Sequence, residues 1–200
     1  MKKEIEFSID DAISESILVK VKLLETCIKP IKNCGSKIAS ALKKGKKILY
    51  CGNGGSAADS QHLAAEMVIR LRSSVNRAAI PALALTVDPS IMTAGGNDFG
   101  FENVFAREVE AYGRQGDVLV AISTSGNSEN VKRAIEQAKI QKMIVVGLLG
   151  CEGGRIKPLC DDSVVVPSSN TARIQECHIL IGHIWCEMTE EALFPELFSK

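Results

Sequence analysis

The sequence predicts an α/β fold, with a parallel sheet covered by helices on both faces. Short apolar runs alternate with helix-forming segments from residue 46 onward, which is the pattern of strands joined by crossover helices. Polar and glycine-rich turns follow several of the apolar runs, and ligands of parallel sheets bind at those strand ends. The chain of 200 residues is 46% hydrophobic, which is enough for one sizeable core.

The first 45 residues are predicted to be helical. Their apolar side chains recur at steps of three and four, which places them in one stripe: Ile13, Ile17, Val21, Leu24, Ile28 and Ile31. Pro30 is expected to divide this region into two helices, because the residue before a proline avoids the helical conformation. We expect this arm to pack against another subunit, although the same stripe could cover the sheet.

Five strands and four helices are predicted after the arm. The strands are expected at 47–51, 82–86, 118–122, 143–148 and 163–166, and the helices at 56–70, 98–112, 128–139 and 171–193. No internal repeat or linker marks a second domain. The sequence therefore predicts one domain over residues 1–200, with an arm at 1–45 and an α/β core at 46–200.

Charge and cysteine content exclude several classes of partner. The 24 basic and 24 acidic residues give a formal net charge of zero, so nucleic acid and anionic membranes are not expected as partners. The longest apolar runs fall far short of the ~20 residues of a spanning helix. Residues 1–4 mix charges, unlike a signal peptide. Seven cysteines without a Cys-x-x-Cys pair indicate reduced thiols and a cytoplasmic location.

The most specific motif follows the apolar run 118–122. Ser123, Thr124 and Ser125 offer three hydroxyls that can donate to phosphate oxygens, and Gly126 allows the backbone to fold closely around an anion. Ser128 can cap the next helix, whose N-terminus adds free N–H groups and a partial positive charge. The absence of lysine argues against a nucleoside triphosphate loop. The motif predicts a cradle for one sugar-phosphate group, the alternative being an ordinary capped turn.

A second glycine-rich turn follows the first predicted strand. Asn53, Gly54 and Gly55 precede a helix and permit close approach of a ligand to the backbone. The Gly-x-Gly-Gly-Ser order does not match a dinucleotide-binding fingerprint, and no acidic residue ends a second strand about 20 positions later. A third polar turn includes Asn97 and Asp98, which could bind sugar hydroxyls. Alternatively, Asp98 only caps the following helix.

Two helices carry the remaining candidate side chains. His62 and Glu66 are four residues apart and share a face, and Gln175 and His183 are eight apart and nearly aligned. If the two helices meet, the four residues could form an acid–base pair or a divalent metal site, for which zinc is plausible. Spacing does not decide between these chemistries. His178 faces elsewhere and is interpreted as structural.

These segments together resemble the phosphoheptose isomerases of the sugar isomerase (SIS) domain superfamily. The resemblance covers nearly the whole chain and depends on four blocks, at residues 51–66, 96–101, 116–128 and 171–183. It implies a three-layer α/β/α sandwich and a cytoplasmic homotetramer built partly by the N-terminal helices. It also implies interconversion of sedoheptulose 7-phosphate and D-glycero-D-manno-heptose 7-phosphate, the first step towards heptose for bacterial surface glycans such as lipopolysaccharide or capsule.

The resemblance also implies roles for individual residues. The phosphate would be bound by Ser123, Thr124, Ser125 and Ser128, and the sugar site would be lined by Asn53, Gly54, Gly55, Asn97 and Asp98. One zinc ion per subunit would be held by His62, Glu66, Gln175 and His183, with Gln175 also at the substrate. Glu66 and His183 would be the acid–base pair, and Arg70 would contact substrate, in its own or in a neighbouring subunit's site. Because a zinc-bound carboxylate is a poorer base, the two roles of Glu66 are partly exclusive unless one oxygen stays free.

One residue departs from the family pattern, and two other functions also fit the sequence. Ala172 stands where some family members have an acidic residue, so no role of that acid transfers to this chain. The Thr-Ala-Arg-Ile-Gln-Glu segment is also similar to a non-enzymatic relative that binds the bacterial replication initiator. That relative lacks the glutamate and histidine that stand here as Glu66 and His183, which favours the enzyme over a tetrameric adaptor. An isomerase for another phosphosugar, such as a pentose or hexose phosphate, is the second rival.

Overall fold

The computed structural model describes residues 8–198 and contains one parallel sheet of five strands. The strands are β1 (Ile48–Cys51), β2 (Ala82–Ala84), β3 (Val118–Ser123), β4 (Ile144–Leu149) and β5 (Asp162–Val165). The helices are α1 (Ile9–Thr26), α2 (Ile28–Lys43), α3 (Gly55–Val68), α4 (Pro89–Phe99), α5 (Val104–Tyr112), α6 (Glu129–Ile140) and α7 (Thr171–Leu193). The strand order is β2-β1-β3-β4-β5, and each neighbouring pair is parallel.

Side chains from alternate strand positions build an apolar layer on each face of the sheet. Ile48 and Tyr50 of β1 pack with α1, α2, α3 and α7, whereas Leu49 and Cys51 pack with α5 and α6. All six residues of β3 are buried, which explains why the strand is a continuous apolar run in the sequence. The predicted three-layer α/β/α sandwich is confirmed.

The order of the strands creates a crevice between β1 and β3. These two strands are neighbours, with Ile48 opposite Val118 and Cys51 opposite Ala121. The chain continues from β1 into α3 on one face of the sheet and from β3 into α6 on the other. Strand ends that diverge in this way flank a ligand-binding crevice. The fold therefore places the turn at 52–55 beside the loop at 123–128.

The N-terminal arm differs from the sequence prediction in two respects. The break between its two helices falls at Cys27, and Pro30 lies in the first turn of α2, where the missing N–H of proline costs no hydrogen bond. The predicted stripe also faces outward, because α1 packs on the core through Val19 and Leu23 instead. Of the stripe, Ile31 alone is buried. The alternative that the stripe covers the sheet is wrong.

The segment before β3 also differs from the prediction. The sequence places one helix over 98–112, but the structure has α4 ending at Phe99, a turn at Gly100 with φ of +82°, and α5 from Val104. Asp88 caps α4, since its carboxylate accepts from the N–H groups of Ser90 and Ile91. Asp98 therefore lies in the last turn of a helix and caps nothing. The two glycines at 95–96 weaken the helical pattern of the sequence there, and the predicted start of the helix was misplaced for this reason.

Within residues 8–198, no helix combines the length and the apolar character that crossing a membrane requires. All seven cysteines are free thiols, as the sequence predicts. The mixed charges of residues 1–4 lie outside the described residues.

Candidate active site

The loop between β3 and α6 forms an open cradle. Gly126 has a φ of +66°, and the Oγ atoms of Ser123 and Ser128 lie 3.0 Å apart. Ser128 occupies the N-cap position of α6, but its hydroxyl bonds Ser123 and makes no capping bond to the helix. The predicted side-chain cap is therefore wrong. The first N–H groups of α6 are not used by that hydroxyl, and N–H groups in this position suit an anion.

A second loop, at residues 153–155, packs against this cradle. A Cβ atom on Gly126 would lie 2.2 Å from the carbonyl oxygen of Gly153 and 2.7 Å from the nitrogen of Gly154. Arg155 donates from Nη2 to the carbonyl oxygen of Asn127 at 2.8 Å. Only glycine fits at position 126, because the two backbones meet there without room for a side chain.

The turn after β1 is tied to the cradle across the crevice. Asn53 and Asn130, at the start of α6, exchange two amide hydrogen bonds of 2.9 and 2.8 Å. Gly54 has a φ of +56°, and α3 begins at the next residue. A Cβ on Gly55 would meet the Cγ of Gln175 at 3.3 Å, so the start of α3 lies against α7. Both predicted glycine-rich turns thus line one crevice.

The two helices bring three of the four predicted metal and acid–base residues together. The Nε2 atoms of His62 on α3 and His183 on α7 are 2.8 Å apart, and Glu66 Oε1 lies 3.4 Å from His62 Nε2. The Glu66 side chain is 18% exposed and that of His62 is 45% exposed, so solvent and small molecules reach the cluster. Glu66, His62 and His183 thus form a continuous chain of groups that can take up and release protons.

Gln175, the fourth predicted residue, binds a side chain that sequence reasoning missed. Its Nε2 donates to Oδ1 of Asp59 at 2.6 Å. Asp59 is 3% exposed, and burial raises the pKa of its carboxyl to about 6 against the lowering effect of the Gln175 bond. Asp59 lies three residues before His62 on α3, a spacing that could have placed it on the same face.

The donor set suits zinc in its chemistry. Two imidazoles, one carboxylate and an amide oxygen are ligands that zinc accepts. The two Nε2 atoms are 2.8 Å apart, close to the separation of about 3.3 Å that two nitrogen ligands have around tetrahedral zinc. Among the described residues, no three acidic, histidine or cysteine side chains already stand at coordinating geometry. Small side-chain movements would have to complete the set.

The other predicted substrate residues lie on exposed surface. Asn97 donates from Nδ2 to Asp98 at 2.7 Å, so the two residues bond each other on the last turn of α4. Arg70 follows the end of α3 and is also exposed. Ala172, in the first turn of α7, is exposed, and its N–H is capped by the side chain of Asn170.

Comparison with known proteins identifies the family. Residues 14–150 match the SIS domain family. The chain is 52% identical to phosphoheptose isomerase 2 of Campylobacter jejuni over 93% of its length and 92% of that protein's. It is 50% identical to a phosphoheptose isomerase of Clostridium acetobutylicum, covering 94% of this chain and 96% of that one. The solved phosphoheptose isomerase of Neisseria gonorrhoeae aligns with a TM-score of 0.86 at 43% identity, over 92% and 97% of the two chains.

The chain belongs to the phosphoheptose isomerase family. It is therefore an isomerase of sugar phosphates, with the SIS fold that the sequence predicts. The rival hypothesis of a non-enzymatic adaptor finds no support in these relatives.

The third histidine of this isomerase has a structural role, as predicted. His178 is fully buried, and its Nε2 lies 3.1 Å from the carbonyl oxygen of Leu149 at the end of β4. Burial lowers the pKa of His178 to about 4, so the imidazole is neutral near pH 7. His178 thus joins α7 to the sheet beside the active site.

Sequence reasoning also missed a buried acidic side chain near the carboxyl ends of the strands. Glu108 on α5 is 6% exposed, and its Oε1 has no hydrogen-bond partner within residues 8–198. Burial and, secondarily, repulsion from Asp88 raise the pKa of Glu108 to about 7. An ionised carboxylate here destabilises the fold, because it loses hydration without gaining a partner.

We expect Glu108→Gln to stabilise the isomerase at pH 8 but not at pH 5. The folded pKa of about 7 lies above the usual 4.5, so the free energy of unfolding of the native protein falls as pH rises between these values. Above pH 7, the free energy of unfolding of Glu108→Gln should exceed that of the native protein by on the order of 2–3 kcal/mol. Thermal unfolding midpoints of both proteins at one concentration check this. An equal effect at both pH values would contradict it.

Proposed function

We propose that this isomerase interconverts sedoheptulose 7-phosphate and D-glycero-D-manno-heptose 7-phosphate, the first step of heptose synthesis for bacterial surface glycans. The observation that carries the proposal is the chain of Glu66, His62 and His183. It lies on α3 and α7, and α3 begins in the turn that is tied to the phosphate cradle. The names of the relatives support a heptose phosphate as substrate. The free thiols agree with reaction in a reducing cytoplasm.

Phosphate binding anchors the substrate at one end of the crevice. The hydroxyls of Ser123, Thr124, Ser125 and Ser128 donate to phosphate oxygens, together with the first N–H groups of α6. Asn53, Gly54 and Gly55 line the wall opposite. The exposed side chains of Asn97, Asp98 and Arg70 contact the sugar in this proposal, Arg70 in its own or in a neighbouring subunit's site. Since the cradle holds only the phosphate end, the length of the sugar decides whether its carbonyl carbon reaches Glu66.

The reaction moves a carbonyl group between C2 and C1. Glu66, as a carboxylate, removes a proton from C1 of the ketose, and the electrons of that C–H bond form the C1–C2 double bond of an enediolate. Glu66 returns the proton to C2, while the O1 hydroxyl loses its proton as the aldehyde forms. His183 donates a proton to O2 and accepts the one from O1, with His62 placed to share it.

We further propose zinc as a cofactor, one ion per subunit, held by His62, Glu66, Gln175 and His183. Bound zinc would supply Lewis-acid stabilisation of the enediolate oxygens. After chelation and dialysis, added zinc should raise the thermal unfolding midpoint of the wild-type protein but not of His62→Gln. No rise in the wild type would overturn the zinc assignment.

We propose a homotetramer, and the exposed apolar face of α1 supports self-association of the chain. Ile13, Ile17 and Leu24 are 55%, 56% and 66% exposed, which is unusual for apolar residues in one stripe. We expect Ile17→Glu/Leu24→Glu to reduce the mass in sedimentation velocity, because two buried carboxylates oppose association. Lys22→Glu, on an exposed polar position of the same helix, should leave the mass unchanged. A wild-type mass smaller than that of four chains would contradict the tetramer.

The proposed substrate is tested by direct conversion. The purified protein is mixed with sedoheptulose 7-phosphate in D₂O, and the product is followed by NMR. We expect aldoheptose phosphate that carries deuterium at C2, because the proton on Glu66 exchanges with solvent. Faster conversion of a pentose or hexose ketose phosphate would overturn the heptose assignment but keep the isomerase.

A further inference from the structure

A buried ion pair joins the segment after α3 to α7, beyond the active site. The side chains of Arg77 and Glu190 are both 0% exposed, and Arg77 Nε donates to Glu190 Oε1 at 2.9 Å. A charge pair at this depth loses as much hydration energy as it gains by attraction, so stability alone is a weak reason for it. Neither residue belongs to the predicted site.

Arg77 also binds the end of the helix that carries Glu66. Arg77 Nη2 donates to the backbone carbonyl of Glu66 at 2.8 Å, and Nη1 donates to that of Met67 at 2.9 Å. Carbonyl groups in the last turn of a helix lack intrahelical partners, and a cation is favoured there. The guanidinium therefore holds the backbone of the proposed base directly.

Glu190 connects the same guanidinium to the helix that carries His183. Glu190 comes seven residues after His183, two turns along α7, so both lie on the face turned toward α3. Arg72 adds two bonds of 3.1 Å from Nε and Nη2 to Glu190 Oε2. The register of α7 against α3 is thus determined at a point outside the catalytic cluster.

We propose that Arg77 and Glu190 are positioning residues that hold Glu66 in register with His183. The proposal rests on the acid–base roles given to those two residues under the proposed function. Arg77 acts through the backbone of Glu66, and Glu190 acts through α7.

The first test compares two double variants. Arg77→Met/Glu190→Met removes both fully buried charges. Arg72 loses its bonds to Glu190, but its side chain is 30% exposed and lies 4.0 Å from Glu191, so the fold is expected to persist. We expect kcat to fall about 10²-fold with KM for the sugar phosphate within about threefold, because a displacement near 1 Å has that effect on catalysis. Lys37→Met/Asp162→Met removes a 3.0 Å pair at the start of β5, at the opposite edge of the sheet, and should leave kcat unchanged.

The second test does not depend on activity. The chain has three histidines, so its histidine ring ¹H–¹³C NMR signals are few and assignable by substitution. We expect the signals of His62 and His183 to shift or broaden in Arg77→Met/Glu190→Met, because their 2.8 Å contact depends on the register of the helices. The signal of buried His178, held by the Leu149 carbonyl, should stay and report an intact fold.

Arg77→Lys provides a second variant that keeps the charge. Lysine cannot reach the four acceptors that Arg77 binds, so kcat should lie between those of the wild type and the double variant. Unchanged kcat and unchanged His62 and His183 signals in a folded Arg77→Met/Glu190→Met would overturn the proposal. A wild type inactive on sedoheptulose 7-phosphate would instead defeat the proposed function, and the histidine spectra would still test the positioning role.

Discussion

Glu66→Gln is expected to lower kcat about 10³-fold while changing KM for the sugar phosphate only slightly. An amide has the shape of the carboxylate but cannot take the C1 proton, and loss of a general base has effects of this size. The side chain is 18% exposed and its carboxylate lies 3.4 Å from His62, so its replacement by an amide of the same shape lowers the stability only slightly. The measurement is NMR of product formation in D₂O together with a thermal unfolding curve.

The control for this variant is Glu110→Gln. Glu110 on α5 is 58% exposed and pairs with Arg107 on the surface, so its loss should not alter the rate. Deuterium incorporation into unreacted substrate separates the chemical step from product release, since the native enzyme should exchange the C1 proton and Glu66→Gln should not. A kcat within threefold of the native value would show that Glu66 is not the base.

Gly126→Ala is expected to have the largest effect on both stability and substrate binding. An alanine at φ of +66° is strained, and its Cβ would overlap the Gly153 carbonyl at 2.2 Å, so the two loops must separate. We expect a loss of about 3 kcal/mol in the free energy of unfolding. We also expect at least a ~10-fold rise in KM, since the hydroxyls of the cradle move with the loop.

Gly45→Ala is the matched control for backbone strain. Gly45 has a φ of +72° but nothing lies within 4 Å of its Cβ position, and it follows α2 far from the cradle along the chain. The Gly45→Ala variant should lose only about 1 kcal/mol in the free energy of unfolding and should keep the native KM. If both alanine variants behave alike in stability and in KM, the packing of the cradle against Gly153 has no role.

The sequence alone predicted the local features of the proposed active site. Three hydroxyls and a glycine between an apolar run and a helix predict the phosphate cradle, because turn chemistry depends on neighbouring residues. The four-residue spacing of His62 and Glu66 places them on one helical face for the same reason. The observed 3.4 Å separation agrees with that prediction.

Other features depended on segments distant in the chain. The sequence misplaced the start of the helix that ends at Tyr112, because a helix boundary in a glycine-rich segment is set by packing as much as by propensity. It also left open which way the α1 stripe faces. Periodicity shows that a stripe exists, but only the contacts of Val19 and Leu23 with the core show that the stripe points away from the sheet.

The sequence by itself determined the fold class, the turn that we propose as a phosphate cradle and the residues that stand together on α3 and on α7. Only the tertiary structure decided that β1 pairs with β3, that Gln175 binds Asp59, and that Arg77 joins the end of α3 to Glu190. The physical reason is range. Hydrogen bonding within a turn or a helix is determined over a few residues, whereas strand order and buried polar partners depend on the packing of the whole chain.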